Sequence, residues 1–316
     1  MAILITGGAG FIGSHVAQRL LQDGEEVIII DNFNDYYAPQ LKRDNITRLN
    51  TVGKTIVIEG DIRDVECVNK MFADYDIQRV VHLAAMGGVR NSVSQIPTYL
   101  GINLNGTMNL LEAATSKCIQ QFVFASTSSV YGITPHLPFT ETDTADRPLT
   151  VYAASKRSAE MLAHTYHNLH QMNVTVLRFF NVYGPAGRPD MMPMRLFNAT
   201  HDGSVIKLFN NGDIARDWTY IDDTVDGIIS ALQRPLGYEI INLGVGSPVS
   251  MTEFLSVIQD LTGKTIRIEA VPTPLSDPPI TFCNNQKARD MLGFAPKVSV
   301  QEGLAKTWEW LKTQHN

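Results

Sequence analysis

Two stretches hold residue types whose spacing could do chemistry. Thr6-Gly7-Gly8-Ala9-Gly10-Phe11-Ile12-Gly13 follows an apolar run and opens an amphipathic one, with Gly7, Gly10 and Gly13 spaced three apart. Glycines so placed let backbone amides reach a pyrophosphate at the positive end of a helix, where any side chain would hold it off. Alone, the pattern is equally a tight strand-to-helix turn. Asp31, about 20 residues on at the end of the next apolar run, gives it a purpose. With Asn32 beside it, a carboxylate there accepts both ribose hydroxyls of an adenosine and repels a 2′-phosphate, so the expected cofactor is NAD and not NADP. Asp61-Ile62 ends the third apolar run, where it could bracket the adenine or simply cap a helix.

The second stretch is Tyr152-Ala153-Ala154-Ser155-Lys156. A spacing of four puts a phenol and an ammonium on one helical face. Tyrosine, with an unperturbed pKa of about 10, is a weak base at neutral pH, but a neighbouring ammonium and a cationic nicotinamide both favour the phenolate. Tyr152 could then exchange a proton with a substrate hydroxyl while Lys156 holds the nicotinamide ribose. The run Ala125-Ser126-Thr127-Ser128-Ser129-Val130-Tyr131-Gly132 supplies hydroxyls at the end of another apolar run, facing the same crevice. A tyrosine with a lysine four residues on is commonplace, and it gains meaning only from the glycines, Asp31 and hydroxyls in order around it.

The elements that must position these residues can be read from the rhythm of the chain. Apolar runs at 3–5, 27–30, 55–58, 80–82, 122–124 and 174–177 alternate with longer amphipathic segments. Strands apolar on both faces and separated by helices predict a doubly wound parallel α/β sheet of the dinucleotide-binding kind. Prolines and glycines break the rhythm after residue 180. The expected division is a nucleotide-binding domain over 1–180, with a return at about 213–244, and a smaller α/β substrate lobe over 181–316.

Bulk properties narrow the function. With 316 residues, 44% hydrophobic and 18% charged, the chain can bury a sizeable core. A formal charge of −6 offers no field for nucleic acid or anionic lipid. Cys67, Cys118 and Cys283 have no paired spacing, the eight histidines suggest no metal site, and Met1 to Ile5 is too short for a signal peptide. No apolar run approaches the roughly 20 residues of a membrane span, so a cytoplasmic protein is expected. Met191-Met192 and the Trp308 and Trp310 pair read as packing.

At these residues the chain resembles the extended short-chain dehydrogenase/reductase family, the NAD-dependent epimerases and dehydratases of nucleotide sugars, over nearly its whole length. The motifs are TGGAGFIG at 6–13, HLAA at 82–85, the 103–107 region, ASTSSVYG at 125–132, YAASK at 152–156, RFFNVYGP at 178–185 and RDWTYIDD at 216–223. The resemblance implies a UDP-sugar substrate, with Leu83, Ala84, Ala85 and Asn103 lining the cofactor. It makes Thr127 the hydroxyl partner of Tyr152 and has Arg216 grip the substrate pyrophosphate. It also implies a homodimer through helices near 101–114 and 152–170. The plainer readings are strand core for Leu83 to Ala85 and a surface ion pair for Arg216.

Within the family, dehydratases carry an Asp-Glu pair where this chain has Ser128 and Ser129, and decarboxylases carry Glu at the place of Ser129. Their absence leaves oxidation at C4, rotation of the ketone and return of the hydride to its other face. Stretches 31–37, Gly88-Val89-Arg90 and Gly187-Arg188-Pro189-Asp190-Met191 resemble the branch acting on UDP-glucuronate. That implies substrate contacts for Arg90, Arg188, Ser128 and Ser129, the last three near the sugar carboxylate. Two positions depart. Asn181 stands where that branch has Thr and is more typical of enzymes for neutral UDP-sugars. Thr281 replaces the bulky Tyr of UDP-galactose 4-epimerases, leaving room for a carboxylate or an N-acetyl group. The alternatives are a UDP-glucose or UDP-N-acetylglucosamine 4-epimerase, a UDP-glucuronate decarboxylase and a net dehydrogenase or reductase.

Overall fold

Ala2-Ile3-Leu4-Ile5-Thr6 is buried at every residue, which an extended segment achieves only when both faces of its sheet are covered. In the computed structural model, which describes residues 1–89, 91–274 and 277–314, this run is β1 (Ala2–Thr6). It is followed by α1 (Phe11–Gln22), β2 (Glu26–Asp31), α2 (Pro39–Leu49), β3 (Thr55–Glu59), α3 (Val65–Asp74) and β4 (Ile77–His82). Next come α4 (Ile96–Leu100) and α5 (Thr107–Ser116), joined without a break by a π-helical segment, Gly101–Gly106. Then follow β5 (Gln121–Thr127), α6 (Val151–His170) and β6 (Val174–Phe179).

The remainder runs β7 (Asn181–Tyr183), α7 (Met192–Asp202), β8 (Ile206–Phe209), β9 (Ala215–Tyr220), α8 (Ile221–Leu232) and β10 (Tyr238–Leu243). It ends with β11 (Pro248–Ser250), α9 (Met251–Thr262), β12 (Ile268–Val271), β13 (Ile280–Thr281), α10 (Gln286–Leu292) and α11 (Val300–Gln314).

Seven strands form one parallel sheet in the order β10-β6-β5-β4-β1-β2-β3, the doubly wound fold expected from the sequence. The order reverses between β1 and β4, and the crevice beyond their carboxyl ends is where such sheets bind ligands. The chain returns to this sheet through α8, which packs on α1, and β10. β9 instead pairs with β7, β11 and β13 in a second, smaller sheet, and β8 pairs with β12. The carboxylates of the 216–223 motif tie that lobe together. Asp217 accepts the amides of Val245 and Gly246, both at 2.9 Å, and Asp223 those of Lys297 and Val298 at 3.0 and 3.1 Å. Trp308 stacks on Phe197, ring centroids 5.5 Å apart, as the packing expectation had it.

Candidate active site

One cleft of about 940 Å³ runs from the glycine turn to Thr281. Its nucleotide end is built by β1 and the turn after it. Gly7 has φ +68°, and a β-carbon on it would stand 2.8 Å from the Ala84 nitrogen. A β-carbon on Gly13 would stand 2.3 Å from the Gly7 carbonyl oxygen. The turn therefore packs main chain on main chain, leaving the start of α1 open to an anion. Gly10, Phe11 and Ile12 line the cleft, and so do Leu83, Ala84 and Ala85, which form the wall beyond β4.

A buried chain of hydrogen bonds fixes that wall. Thr6 Oγ1 accepts the Ala84 amide at 3.0 Å and lies 2.7 Å from His82 Nδ1, while His82 Nε2 lies 2.9 Å from Thr107 Oγ1. Thr107 donates its proton to the Asn103 carbonyl at 2.7 Å, so it must accept from Nε2–H, which leaves Nδ1 to accept from Thr6. Burial, with Lys156 nearby, holds the imidazole well below its usual pKa, in the neutral form this arrangement needs.

Asp31, at the end of β2, accepts the amides of Ala9 at 3.3 Å and Phe33 at 2.9 Å. Burial raises its carboxyl above the usual value, against the pull of Lys42, whose Nζ is 3.9 Å away. Asn32 donates to Asp61 at 2.9 Å, and Arg63 grips Asp61 at 2.9 and 2.7 Å, holding that carboxyl at about 2. Asp61 and Ile62 line the cleft, and the cap of α3 is Asp64, not Asp61. A cradle that any β-carbon would fill, a helix start and a carboxylate at the end of β2 together fit a dinucleotide.

Asn103 sits one layer behind the position expected of it. Fully buried in the π-helical segment, it accepts the Met86 amide at 2.8 Å and donates to the Met86 carbonyl at 3.1 Å and to Ser155 Oγ at 2.9 Å. Both faces of its amide are thus used to fasten the 83–86 wall to α6, and it does not line the cleft.

The chemical end is positioned by α6. The Thr150 side chain caps its first turn by accepting the Ala153 amide, which puts Tyr152 and Lys156 on the cleft. Lys156 is 2% exposed, its Nζ 4.2 Å from the centroid of the Phe124 ring, and among the described residues it makes no hydrogen bond. Burial brings its pKa down to about 7, against the attraction of Glu160. Burial likewise raises Tyr152, while a hydrogen bond with Thr127 and the charge of Arg188 pull it down. Burial has thus weakened the Lys156 ammonium expected to favour the phenolate, and the charge of Arg188 acts on Tyr152 in the same direction. Thr127, ending β5, accepts the Ser129 amide at 3.2 Å and so starts a 3₁₀ turn, Ser128–Tyr131, that holds Ser128 and Ser129 at the cleft.

At the substrate end, Asn181 on β7, Arg188, Arg216 on β9 and Thr281 on β13 all line the cleft. Arg188 forks onto Asp190 at 2.9 and 2.6 Å. Arg216, 9% exposed, lines the cleft and is paired with Asp277, so its ion pair lies in the cleft wall and not at the surface. Arg90 lies outside the described residues. Met191 and Met192 line the cleft, and Met192 also packs against the core as expected.

Tyr36, Tyr37, Asp190 and Trp218, which lie in quoted stretches but were given no role, and Lys42 and Asp277, which were passed over, all line the cleft. For Asp190 and Asp277 the signal was available, since an arginine bound for a pocket needs a counter-charge. Trp218 stood inside the 216–223 motif, and Lys42 carried no signal. Among the described residues no group of three or more His, Cys, Asp or Glu is placed to hold a metal ion, and no helix is long and apolar enough to cross a membrane.

Comparison with known proteins agrees with this geometry. A UDP-glucuronate 4-epimerase of Thermodesulfobacterium geofontis is 41% identical over 311 residues, covering 98% of this chain and 95% of that one. The crystal structure of the UDP-glucuronic acid 4-epimerase of Bacillus cereus, in complex with UDP-glucuronic acid and NAD, superposes with a TM-score of 0.93 at 34% identity, covering 99% of this chain and 100% of that one. A UDP-glucose 4-epimerase of Thermotoga maritima, with UDP-glucose, does so at 0.92 and 30%, with full coverage of both chains. The model of the NAD dependent epimerase/dehydratase family matches residues 3–244, from β1 through β10, and the chain is a member of that family.

Proposed function

We propose that the protein is an NAD-dependent epimerase that interconverts UDP-glucuronate and UDP-galacturonate at C4 of the sugar. The observation that carries the reading is that Tyr152, Thr127, Ser128, Ser129 and Arg188 line the same cleft as the glycine cradle. The likeness to UDP-glucuronate 4-epimerases over nearly the whole chain supports it.

Bound NAD would supply the hydride acceptor for oxidation at C4 and the hydride donor for return to the other face of the ketone. Gly7, Gly10 and Gly13 would admit its pyrophosphate, and Asp31 its adenosine ribose. The chain's own work is proton handling and holding. Tyr152 takes the C4 hydroxyl proton and gives it back, helped by Thr127, while Lys156 holds the nicotinamide ribose. Arg216 faces the diphosphate. Ser128, Ser129 and Arg188 hold the carboxylate. That grip matters, because a uronate oxidised at C4 is a β-keto acid prone to lose CO₂, and fixing the carboxylate in the plane unfavourable to C–C cleavage protects it.

Asn181 favours a second reading, a 4-epimerase of a neutral UDP-sugar, to which the Thermotoga likeness also lends support. Incubation with UDP-glucuronate and with UDP-glucose, resolving the C4 epimers, separates the two. Equilibration of glucose alone would reverse the ranking, and NADH accumulating with substrate would make the protein a net dehydrogenase. The proposal includes a homodimer through α5 and α6, which expose Met108, Met161 and Leu169. It also includes a cytoplasmic setting, which suits three free cysteines.

A further inference from the structure

Arg188 has more built around it than contact with a substrate requires. Its Nε and Nη2 make a two-point fork on Asp190. Its guanidinium stands over the Tyr36 ring, 5.1 Å from the centroid. Its remaining nitrogen, Nη1, comes so near the main chain at Gly87 that a β-carbon there would stand 2.6 Å from it. The Gly87-Gly88 turn is pinned from behind, because the Tyr99 hydroxyl donates to both carbonyl oxygens, at 2.8 and 2.9 Å. One edge and one face of the guanidinium each have a fixed neighbour, and Nη1 lies beside the Gly87 main chain.

A guanidinium has two edges able to take a carboxylate, Nε with Nη2 and Nη1 with Nη2. Asp190 occupies the first, so the second is what Arg188 can offer to the cleft. Without those neighbours the long arginine stem would keep its rotamer freedom, to be lost only when substrate arrives. We propose that Asp190 and Tyr36 are positioning residues that fix the plane of Arg188 and aim its open edge at the carboxylate of a uronate sugar, setting the preference of the site for an acidic over a neutral sugar.

The proposal rests on the reading of the substrate as UDP-glucuronate. It has an electrostatic side as well. Because Asp190 offsets much of the Arg188 charge, the open edge selects by hydrogen-bond geometry more than by net attraction, and a misplaced anion gains little from it.

The test compares KM and kcat for UDP-glucuronate and UDP-glucose on NAD-loaded enzyme, in the parent and in Asp190→Asn, Tyr36→Leu and Tyr36→Phe. Asp190→Asn is expected to raise KM for UDP-glucuronate by roughly 10-fold or more, with kcat less affected and a much smaller change for UDP-glucose. Tyr36→Leu should act in the same direction, and Tyr36→Phe, which keeps the ring face, should restore most of the loss. Equal weakening of both sugars would assign Asp190 to the fold or the nucleotide site and end the proposal. A lower KM for UDP-glucuronate in Asp190→Asn would also end it, since Asp190 would then compete for Arg188 and not orient it. A parent that converts UDP-glucose but leaves UDP-glucuronate untouched overturns the substrate reading itself, and this proposal with it.

Discussion

The carboxylate of Glu160, one helical turn beyond Lys156, belongs to Arg178. Arg178 forks onto it at 3.0 and 2.8 Å, and Ser126 and Arg157 take its remaining lone pairs at 2.5 and 3.1 Å. Lys156 is left as a buried ammonium with no carboxylate of its own, and this is why its pKa falls from 10.5 to about 7. The folded value lies below the unfolded one, so the charge is a penalty on the fold, present in full below pH 7. As the pH rises from about 7 towards 10.5 the folded lysine has lost its proton while the unfolded one keeps it, and stability increases across that window. Each pKa unit is worth about 1.4 kcal/mol. Lys156→Met, which abolishes the titration, should therefore have a higher urea midpoint than the parent at pH 7, the gap closing as the pH approaches 10.5. A gap that does not change with pH would mean that shape, and not the buried charge, sets the difference.

The glycine turn predicts a graded pair of variants. A β-carbon on Gly13 meets backbone, at 2.3 Å from Gly7 O and 2.7 Å from Gly8 Cα, whereas one on Gly8 meets the side chain of Ile29 at 2.7 Å. Backbone can yield only by moving the turn or α1, while a side chain can change rotamer. Gly13→Ala should lower the melting temperature by the equivalent of about 1–3 kcal/mol and weaken NAD binding, with Gly8→Ala milder on both counts. Calorimetric titration with NAD checks the order. If Gly13→Ala binds NAD as the parent does, the pyrophosphate lies elsewhere.

Tyr152→Phe removes the group that exchanges a proton with the sugar and leaves the ring packing against Tyr99, whose centroid lies 6.3 Å away. Turnover should fall by roughly 10²-fold or more, with UDP-sugar and NAD affinities close to those of the parent. Thr127→Val deletes only one of the groups that lower the Tyr152 pKa, and a loss of roughly 5-fold is expected from a single hydrogen bond of about 1 kcal/mol. Comparable losses in both would make Thr127 the proton carrier in place of Tyr152.

Elements whose residues report their own burial were legible in the sequence. β1, β2 and β6 are built mostly of apolar residues because both faces of the sheet are covered, and α6 was legible from Tyr152 and Lys156 at a spacing of four on one helical face. The glycine turn and Asp31 were legible for a related reason, since few other residues fit a backbone that close or a carboxylate at that depth. What escaped depends on contacts between distant segments. Asn103 looks like a cofactor residue until its amide is seen fastening Met86 to Ser155. The electrostatics of Tyr152 could not be had from a spacing of four, because burial of Lys156 and the approach of Arg188 are both set by tertiary packing.

His82 should make the protein acid-sensitive before its carboxylates do. Its ring is fully buried, stacked on Phe124 at 5.4 Å, and both nitrogens are committed: Nε2–H to Thr107, Nδ1 as acceptor from Thr6. Protonating Nδ1 would set two donors against each other at 2.7 Å and release Thr6, which holds the Ala84 amide on the cleft wall. The folded pKa lies well below 6.5 and the unfolded value near it, so below pH 6.5 the unfolded chain takes up a proton that the folded one refuses. Stability then falls as the pH drops through that window. His15, brought down to about 4 mainly by burial, adds to the slope between 4 and 6.5. His82→Gln loses part of the network and should be less stable at neutral pH by about 1–3 kcal/mol, yet its stability should decline less steeply below pH 6.5. Chemical denaturation at several pH values measures both numbers, and parallel pH curves for parent and variant would show that His82 carries its proton in the folded protein after all.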